Sequence, residues 1–244
     1  MTARHWIRAD WPLADTVVAG TTLRNGGISS GCYASLNLGA GVGDLGHAVE
    51  ENRRRWRELC QLPAAPAWLR QVHGTRVVTD PATAGCAADA IVSRRAGVVC
   101  AVLSADCLPV LFAAADGSEV AAAHAGWRGL CAGVLEATIA SMAARPLLAW
   151  FGPAISGAAF EVGPEVRSQF LAHDPQAADC FTANERGRWQ ADLCELARMR
   201  LRQAGVTRVF GGDRCTVAEP EAFFSYRRDG ECGRMATFIF RKVA

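Results

Sequence analysis

Apolar and polar residues follow each other along this chain in short blocks, and turns rich in glycine, proline or serine separate most of the apolar blocks. Short apolar runs bounded by turn residues are typical of buried β-strands. We therefore predict strands over residues 17–23, 68–72, 75–78, 98–103, 108–114, 120–123, 148–151, 206–210 and 236–240.

Other segments repeat apolar residues at intervals of three to four, which predicts amphipathic helices. They cover residues 49–60, 127–142, 164–172 and 192–204. Asp192 followed by Glu195 resembles a capping box, and Gly205 is a plausible stop for the last helix. Strands mixed with a few helices predict an α/β or α+β fold, and the length fits a single domain over residues 1–244.

Composition and charge exclude several classes of protein. The chain has 244 residues, of which 50% are apolar and 20% are charged, and its formal net charge is +2. That charge is too close to zero to attract nucleic acid or an anionic membrane through the overall field. No apolar run reaches the roughly 18 residues of a membrane-spanning helix, and the first residues lack the pattern of a signal peptide. We expect a cytoplasmic protein that binds neither nucleic acid nor membrane.

The ten cysteines do not form a recognisable disulfide or zinc-ribbon pattern, because none are spaced C-x-x-C. In a long intracellular chain, most cysteines are reduced thiols. Cys107 differs from the others because it follows Asp106 in a short turn between two apolar strands.

Three possible metal ligands occupy the ends of predicted strands. Of only five histidines, His73 and His124 lie beside glycine turns, and Cys107 lies in a third such turn. Two imidazoles and a thiolate suit Zn²⁺, and three protein ligands leave the fourth tetrahedral position for water or substrate. These residue types are therefore compatible with a catalytic zinc site.

Spacing alone leaves other interpretations open. The histidines and the cysteine could be ordinary core residues, since they lie in separate segments. Alternatively, Cys107 is a nucleophile, a histidine its base, and Asp106 or Asp89 the group that orients the base. The same ligands also resemble a trigonal copper site, with Met142 or Met235 as axial ligand.

Polar residues beside glycine turns are candidates for substrate binding. Arg24 stands at a predicted strand end, where a guanidinium could hold phosphate or carboxylate. Asn37 and Arg128 are further candidates, the latter at the start of the helix after His124. The glycine-rich loop after Arg24 matches neither dinucleotide-binding nor ATP-binding motifs, so we predict neither site.

At these same residues the sequence resembles the YfiH-like family, whose members are also labelled laccase-like polyphenol oxidases, purine nucleoside phosphorylases and peptidoglycan editing factors. The resemblance spans nearly the whole chain and is carried by ordered blocks such as SADCLPVL, HAGWRG and FFSYRRD. These and the other matching blocks cover residues 22–29, 35–39, 71–74, 88–90, 104–111, 124–129, 152–155, 160–163 and 223–229.

The resemblance implies a layered α/β/β/α sandwich with mixed sheets, and zinc bound by His73, Cys107 and His124. It also implies phosphorolysis of adenosine, inosine, guanosine and methylthioadenosine, with adenosine deamination as a second reaction. Copper-dependent phenol oxidation is also described for the family, but five histidines are too few for a multicopper site. Purine nucleosides and phosphate are the expected partners, and the protein is expected to be a monomer or small homo-oligomer.

Within this scheme the residues receive provisional roles. The metal ligands, Arg24 and Asp106 are predicted to be catalytic, while Arg24, Asn37, Asp89 and Arg128 are predicted to bind substrate. Two alternatives remain open: a hydrolase that edits cell-wall precursors by attacking an amide, and a non-catalytic binding protein that retains the metal site.

Overall fold

The computed structural model describes residues 5–80 and 84–243, so both ends of the predicted domain range 1–244 lie outside the described residues. The strands within these ranges form three sheets. They are β1 (Trp6–Arg8), β2 (Val17–Thr22), β3 (Val77–Thr79), β4 (Ala90–Ser93), β5 (Val99–Ser104), β6 (Leu108–Ala114), β7 (Val120–Ala125), β8 (Leu147–Phe151), β9 (Glu161–Val162), β10 (Phe181–Ala183), β11 (Trp189–Ala191), β12 (Arg208–Gly211) and β13 (Met235–Arg241).

A six-stranded mixed sheet forms the middle of the molecule, in the order β12-β8-β6-β7-β4-β3. Its inner pairs are antiparallel, whereas the outermost pair at each edge is parallel. The second sheet is antiparallel, in the order β1-β2-β13-β5. A small antiparallel sheet, β10-β11-β9, lies beside them.

Alternation of side chains along the central strands builds two cores. Leu111 and Ala113 of β6 pack with Val102 of β5 and Ile239 of β13, between the two large sheets. Val110 and Phe112, on the opposite face of β6, pack with the helices. Because both faces of β6 are covered, its sequence is continuously apolar rather than alternating.

Helices cover the outer faces of both large sheets. The α-helices of the described residues are α1 (Gly46–Leu59), α2 (Trp127–Ala132), α3 (Val134–Ser141), α4 (Pro164–His173), α5 (Leu193–Gln203) and α6 (Tyr226–Asp229). Helices α3, α4 and α5 pack on the six-stranded sheet. Helix α1 packs on the other sheet, where the ring centroids of Trp56 and Phe238 are 5.4 Å apart. The layered α/β/β/α architecture is therefore confirmed.

Two predicted elements are wrong in detail. Residues 68–72 do not form a strand and contain only an isolated bridge between Arg70 and Ala87. Trp68 and Leu69 contact separate cores, the backbone of Arg70 bonds to Cys86 and Ala88, and the Val72 N–H bonds to the Asp89 side chain instead of to a strand. The helix expected over residues 127–142 is divided at Gly133, whose φ of 103° ends α2 before α3 begins.

Five strands of the described residues lie outside the predicted ranges, namely β1, β4, β9, β10 and β11. All ten cysteines are free thiols. No helix in the described part of the chain is long and apolar enough to cross a membrane.

Candidate metal centre

His73, Cys107 and His124 meet at one point, and their ligand atoms all lie within 4.8 Å of one another. The Sγ atom of Cys107 is 3.7 Å from Nε2 of His73. Tetrahedral Zn²⁺ with Zn–S and Zn–N bonds of about 2.3 and 2.0 Å requires an S···N separation of about 3.5 Å. The donor set and the separation of Cys107 from His73 therefore fit a divalent metal.

The central sheet brings two of the three donors together. Strands β6 and β7 are antiparallel, with Leu108 opposite Ala125 and Pro109 opposite His124. Cys107 directly precedes β6, so it lies beside the end of β7 that carries His124. His73 reaches the same point from the irregular loop before β3, with a left-handed backbone (φ 58°).

Asp89 is the group that holds His73 and His124 together. Its carboxylate accepts the backbone N–H groups of Val72, His73 and Gly74 at 2.8–3.1 Å. It also accepts Nδ1–H of His124 at 2.9 Å, which leaves Nε2 of that ring as the free donor atom. Burial opposes ionisation of Asp89, but the hydrogen bonds from His124 and the backbone dominate and lower the pKa of Asp89.

The electrostatics keep the cysteine in its metal-binding form. Burial of the Cys107 thiol disfavours its anion, but the charge and hydrogen bonds of His124, together with His73, outweigh burial and lower the pKa of Cys107 from 9.0 to about 6. Burial likewise disfavours an imidazolium, yet the Cys107 thiolate and Asp89 raise the pKa of His124 from 6.5 to about 9. At neutral pH the metal-free centre is therefore a thiolate–imidazolium pair, and metal binding displaces a proton from His124.

Gly126 forms the floor of the centre. A Cβ atom added there would lie 2.7 Å from Cδ2 of His73 and 3.1 Å from Sγ of Cys107. Residue 126 has an ordinary extended backbone (φ −60°, ψ 154°). The position therefore requires glycine because of close contact with the ligands, not because of an unusual backbone.

The centre is open to solvent on one side. Burial decreases from His124, which is 3% exposed, through Cys107 to the exposed His73. A cavity of about 710 Å³ lies elsewhere, beside β1 and Leu23, and none of the three ligands lines it. An exposed face beside three ligands is the arrangement expected when a substrate or water completes the coordination.

Asp106 links the Cys107 turn to two other segments. It is 8% exposed and has a φ of 92°. Its Oδ1 accepts the Thr216 hydroxyl at 2.5 Å, and its Oδ2 accepts the Arg227 N–H at 2.6 Å. Its backbone oxygen accepts the Ile155 N–H. Both carboxylate oxygens are thus engaged within the protein.

Arg24 is half-buried and contacts none of the three metal ligands. Its guanidinium donates to the backbone oxygens of Ala34 and Pro220 at 3.0 and 2.9 Å and lies over the ring of Phe224. Its Nη2 atom makes no hydrogen bond within the described residues. Arg24 thus adjoins the segment around residues 220–229, in which Arg227 contacts Asp106.

The other two predicted binding residues occupy opposite environments. Asn37 is fully buried, and its amide bonds to Gly39, Asp44 and the N–H of Arg234, away from the open face. Arg128 is exposed, lies over the ring of Trp127, and follows Gly126 by two residues. Arg128 therefore lies close to the metal ligand His124 in sequence, whereas the amide of Asn37 is fully engaged within the protein.

Gly126 and Thr216 were not among the residues predicted from the sequence. Both act through contacts with segments distant in sequence, so spacing could not reveal them. The glycine between Ala125 and Trp127 was the clearest available sign, since it directly follows a ligand strand.

Fold and site together define a layered α/β protein with an open metal centre of two histidines and one cysteine. A family model described as "Multi-copper polyphenol oxidoreductase laccase" matches residues 18–242. The chain belongs to this family, which is the YfiH-like family indicated by the sequence blocks.

Similar proteins cover almost the entire chain. Purine nucleoside phosphorylase YfiH of Escherichia coli (strain K12) is 53% identical over 234 residues, which span 94% of this chain and 96% of that protein. The crystal structure of Neisseria meningitidis protein NMB0706 matches with a TM-score of 0.94 and 49% identity, over 98% of this chain and 100% of that one. The crystal structure of YlmD from Geobacillus stearothermophilus matches with a TM-score of 0.92 and 34% identity, over 100% and 98% of the two chains.

Proposed function

We propose that this protein is a zinc-dependent purine nucleoside phosphorylase that acts on adenosine, inosine, guanosine and methylthioadenosine. The observation that carries the proposal is the open centre of His73, Cys107 and His124, with one face left for substrate. The activity in the names of relatives such as the Escherichia coli protein supports the reaction class.

Zinc is favoured over copper by the surroundings of the centre. One group of three such ligands occurs within residues 5–80 and 84–243, whereas a multicopper site needs several. The Sδ atom of Met235 accepts the Phe224 N–H, and Met142 packs in the core beneath the helices, so neither methionine supports an axial copper contact. Copper that binds adventitiously would still generate oxidation of phenols, because copper exceeds zinc in affinity at most such sites.

Zinc held by these ligands supplies positive charge and Lewis acidity to a bound phosphate or water. Arg24 has Nη2 available, and the exposed Arg128 adds a second cation near the open face. We assign both to phosphate, whose negative charge they would partly neutralise beside the ribose.

Asp89 and Asp106 are better suited to orienting other groups than to moving protons. Every oxygen of both carboxylates already accepts hydrogen bonds from the protein. Asp89 fixes the ring of His124 and the backbone of His73, and Asp106 fixes the turn that carries Cys107. Adenosine deamination at the same centre, through an activated water, remains the proposed second reaction.

The test pairs metal analysis of protein purified without added metal with chromatographic assays of adenosine and inosine, with and without phosphate. About one zinc per chain and phosphate-dependent release of free base are expected. His73→Ala should abolish turnover, whereas His47→Ala, which removes an exposed histidine of α1, should leave it unchanged. Full phosphorolysis by His73→Ala would refute the zinc mechanism.

The geometry also supports a second candidate, an amide hydrolase acting on cell-wall precursors. Cys107, His124 and Asp89 are arranged as nucleophile, base and orienting carboxylate, with Nδ1 of His124 2.9 Å from Asp89. Such a reaction would need no phosphate. Amide hydrolysis that persists after metal removal and stops in Cys107→Ser would favour this candidate over the phosphorylase.

A further inference from the structure

The side chain of Gln71 makes an unusual pair of contacts with an edge strand. Its Nε2 donates to the backbone oxygen of Leu103 at 2.8 Å, and its Oε1 accepts the Leu103 N–H at 2.7 Å. One amide side chain therefore satisfies both backbone polar groups of a single residue, as the peptide group of a neighbouring strand would do.

The contact closes an otherwise open sheet edge. Leu103 belongs to β5, the last strand in the order β1-β2-β13-β5, and its other neighbour is Ala236 of β13. The outward N–H and C=O groups of such a strand have no partner strand within their sheet. Because the side chain of Gln71 bonds to both the N–H and the C=O of Leu103, the backbone of Gln71 is held at a defined position along β5.

That position connects two metal ligands. Gln71 lies two residues before His73, and Leu103 lies four residues before Cys107. The loop that carries His73 has no regular secondary structure. It is held at its other end by Asp89, which bonds to His73 and Gly74 and to His124. Gln71 is thus the direct link from this loop to the strand leading into the Cys107 turn.

We propose that Gln71 is a positioning residue of the metal centre, which sets the separation of His73 from Cys107 through its two bonds to Leu103. The inference rests on the proposed metal-dependent function and extends it to a residue that contacts neither metal nor substrate. Ligand distances must be correct to about 0.2 Å for tight binding. Without Gln71 the loop would keep the bonds of Asp89 and the backbone bonds of Arg70 to Cys86 and Ala88, but it would lose its attachment to β5 and bind metal less well.

The decisive variant is Gln71→Met, which keeps the length and approximate volume of the side chain but removes both bonds. Loss of groups that orient metal ligands costs about 10–100-fold in metal affinity, and we expect a loss in that range for zinc, measured by competition with a chromophoric chelator. The absorption bands of the Co²⁺-substituted protein should shift or weaken as well, because they report the geometry of the thiolate and imidazole ligands.

Gln203→Met is the matched control. It makes the same chemical change and also removes a side-chain hydrogen bond, from Gln203 to Asp174. The bond lies at the end of α5, among residues that do not contact the metal ligands. We expect this variant to keep wild-type zinc affinity and the wild-type Co²⁺ spectrum. Gln71→Glu, which retains only the acceptor for the Leu103 N–H, replaces Gln71→Met if the latter does not fold, and the same loss is expected.

The outcomes distinguish a failure of the positioning role of Gln71 from a failure of the proposed metal-dependent function. Wild-type affinity and an unchanged Co²⁺ spectrum in Gln71→Met, with a wild-type protein that binds zinc, would overturn the inference alone. An equal loss of affinity in Gln203→Met would also overturn it, because the effect would then be general. A wild-type protein that binds no zinc would overturn the proposed metal-dependent function itself.

Discussion

Gly126→Ala tests how closely the protein is built around its metal ligands. The new Cβ would stand 2.7 Å from Cδ2 of His73, whereas ordinary contacts begin near 3.4 Å. The His73 ring must therefore retreat by about 0.7 Å, given a protein interior that is close-packed. Metal–ligand distances tolerate only about 0.2 Å of error, so the shift exceeds the tolerance more than threefold.

Gly126→Ala should reduce the stability of the fold only slightly. Alanine is compatible with the backbone of residue 126, and the crowded neighbour His73 lies on the exposed side. Overpacking of a buried site costs about 1–3 kcal/mol of folding stability, and the loss in Gly126→Ala should not exceed that range. We expect the metal-free variant to lose only a few degrees of thermal midpoint, while zinc affinity falls about 10–100-fold.

Chelator competition and thermal denaturation of the metal-free and zinc-loaded proteins measure both effects. Gly41→Ala is the control, because a Cβ added at Gly41 meets nothing within 4 Å and residue 41 is not in the left-handed region. Unchanged zinc affinity in Gly126→Ala would refute the reasoning that this glycine sets the ligand geometry.

Three further predictions concern neighbouring groups. Asp89→Asn should lower zinc affinity about 10–100-fold, since an amide cannot accept all the bonds that orient His73 and His124; chelator competition checks this. In metal-free protein, the lowered pKa of Cys107 stabilises the fold at high pH, and this contribution is lost as the pH falls through about 6. The raised pKa of His124 stabilises the fold at low pH, and this contribution is lost as the pH rises through about 9. Between pH 6.5 and 9 the two contributions change in opposite directions and nearly cancel, so the thermal midpoint of metal-free protein should stay nearly constant over this range. A pronounced maximum within it would contradict the two assignments. Arg24→Ala should raise the KM for phosphate, and an unchanged KM would remove Arg24 from the phosphate site.

Hydrophobic pattern was sufficient for the strands β5 to β8 and for most of the helices, but it did not predict β4. Residues 108–114 form β6 over the whole predicted range, because burial on both faces makes a strand continuously apolar. The same criterion misled at residues 68–72, where Trp68 and Leu69 enter different cores and the backbone makes an isolated bridge rather than a strand. Strands of two or three residues, such as β9 and β10, were missed because they are too short to show a period.

The candidate ligands could be named from residue type and from their glycine turns, but their convergence could not. Arg24 and Asn37 both precede glycines in the sequence, yet Arg24 retains a guanidinium nitrogen without a hydrogen bond among the described residues, whereas the side chain of Asn37 is enclosed by its hydrogen bonds. Only packing distinguishes these two outcomes.

The sequence by itself determined the class of fold, the chemical identity of the donors and the family. These depend on properties that each segment carries alone: its period, its apolar content and its reactive side chains. The tertiary structure alone decided the geometry of the centre, including the bonds of Asp89 to three successive N–H groups, the contact of Gly126 with the ligands, and the attachment of Gln71 to β5. Such contacts join residues far apart in the chain, and their distances are set by how the sheets pack rather than by any local preference.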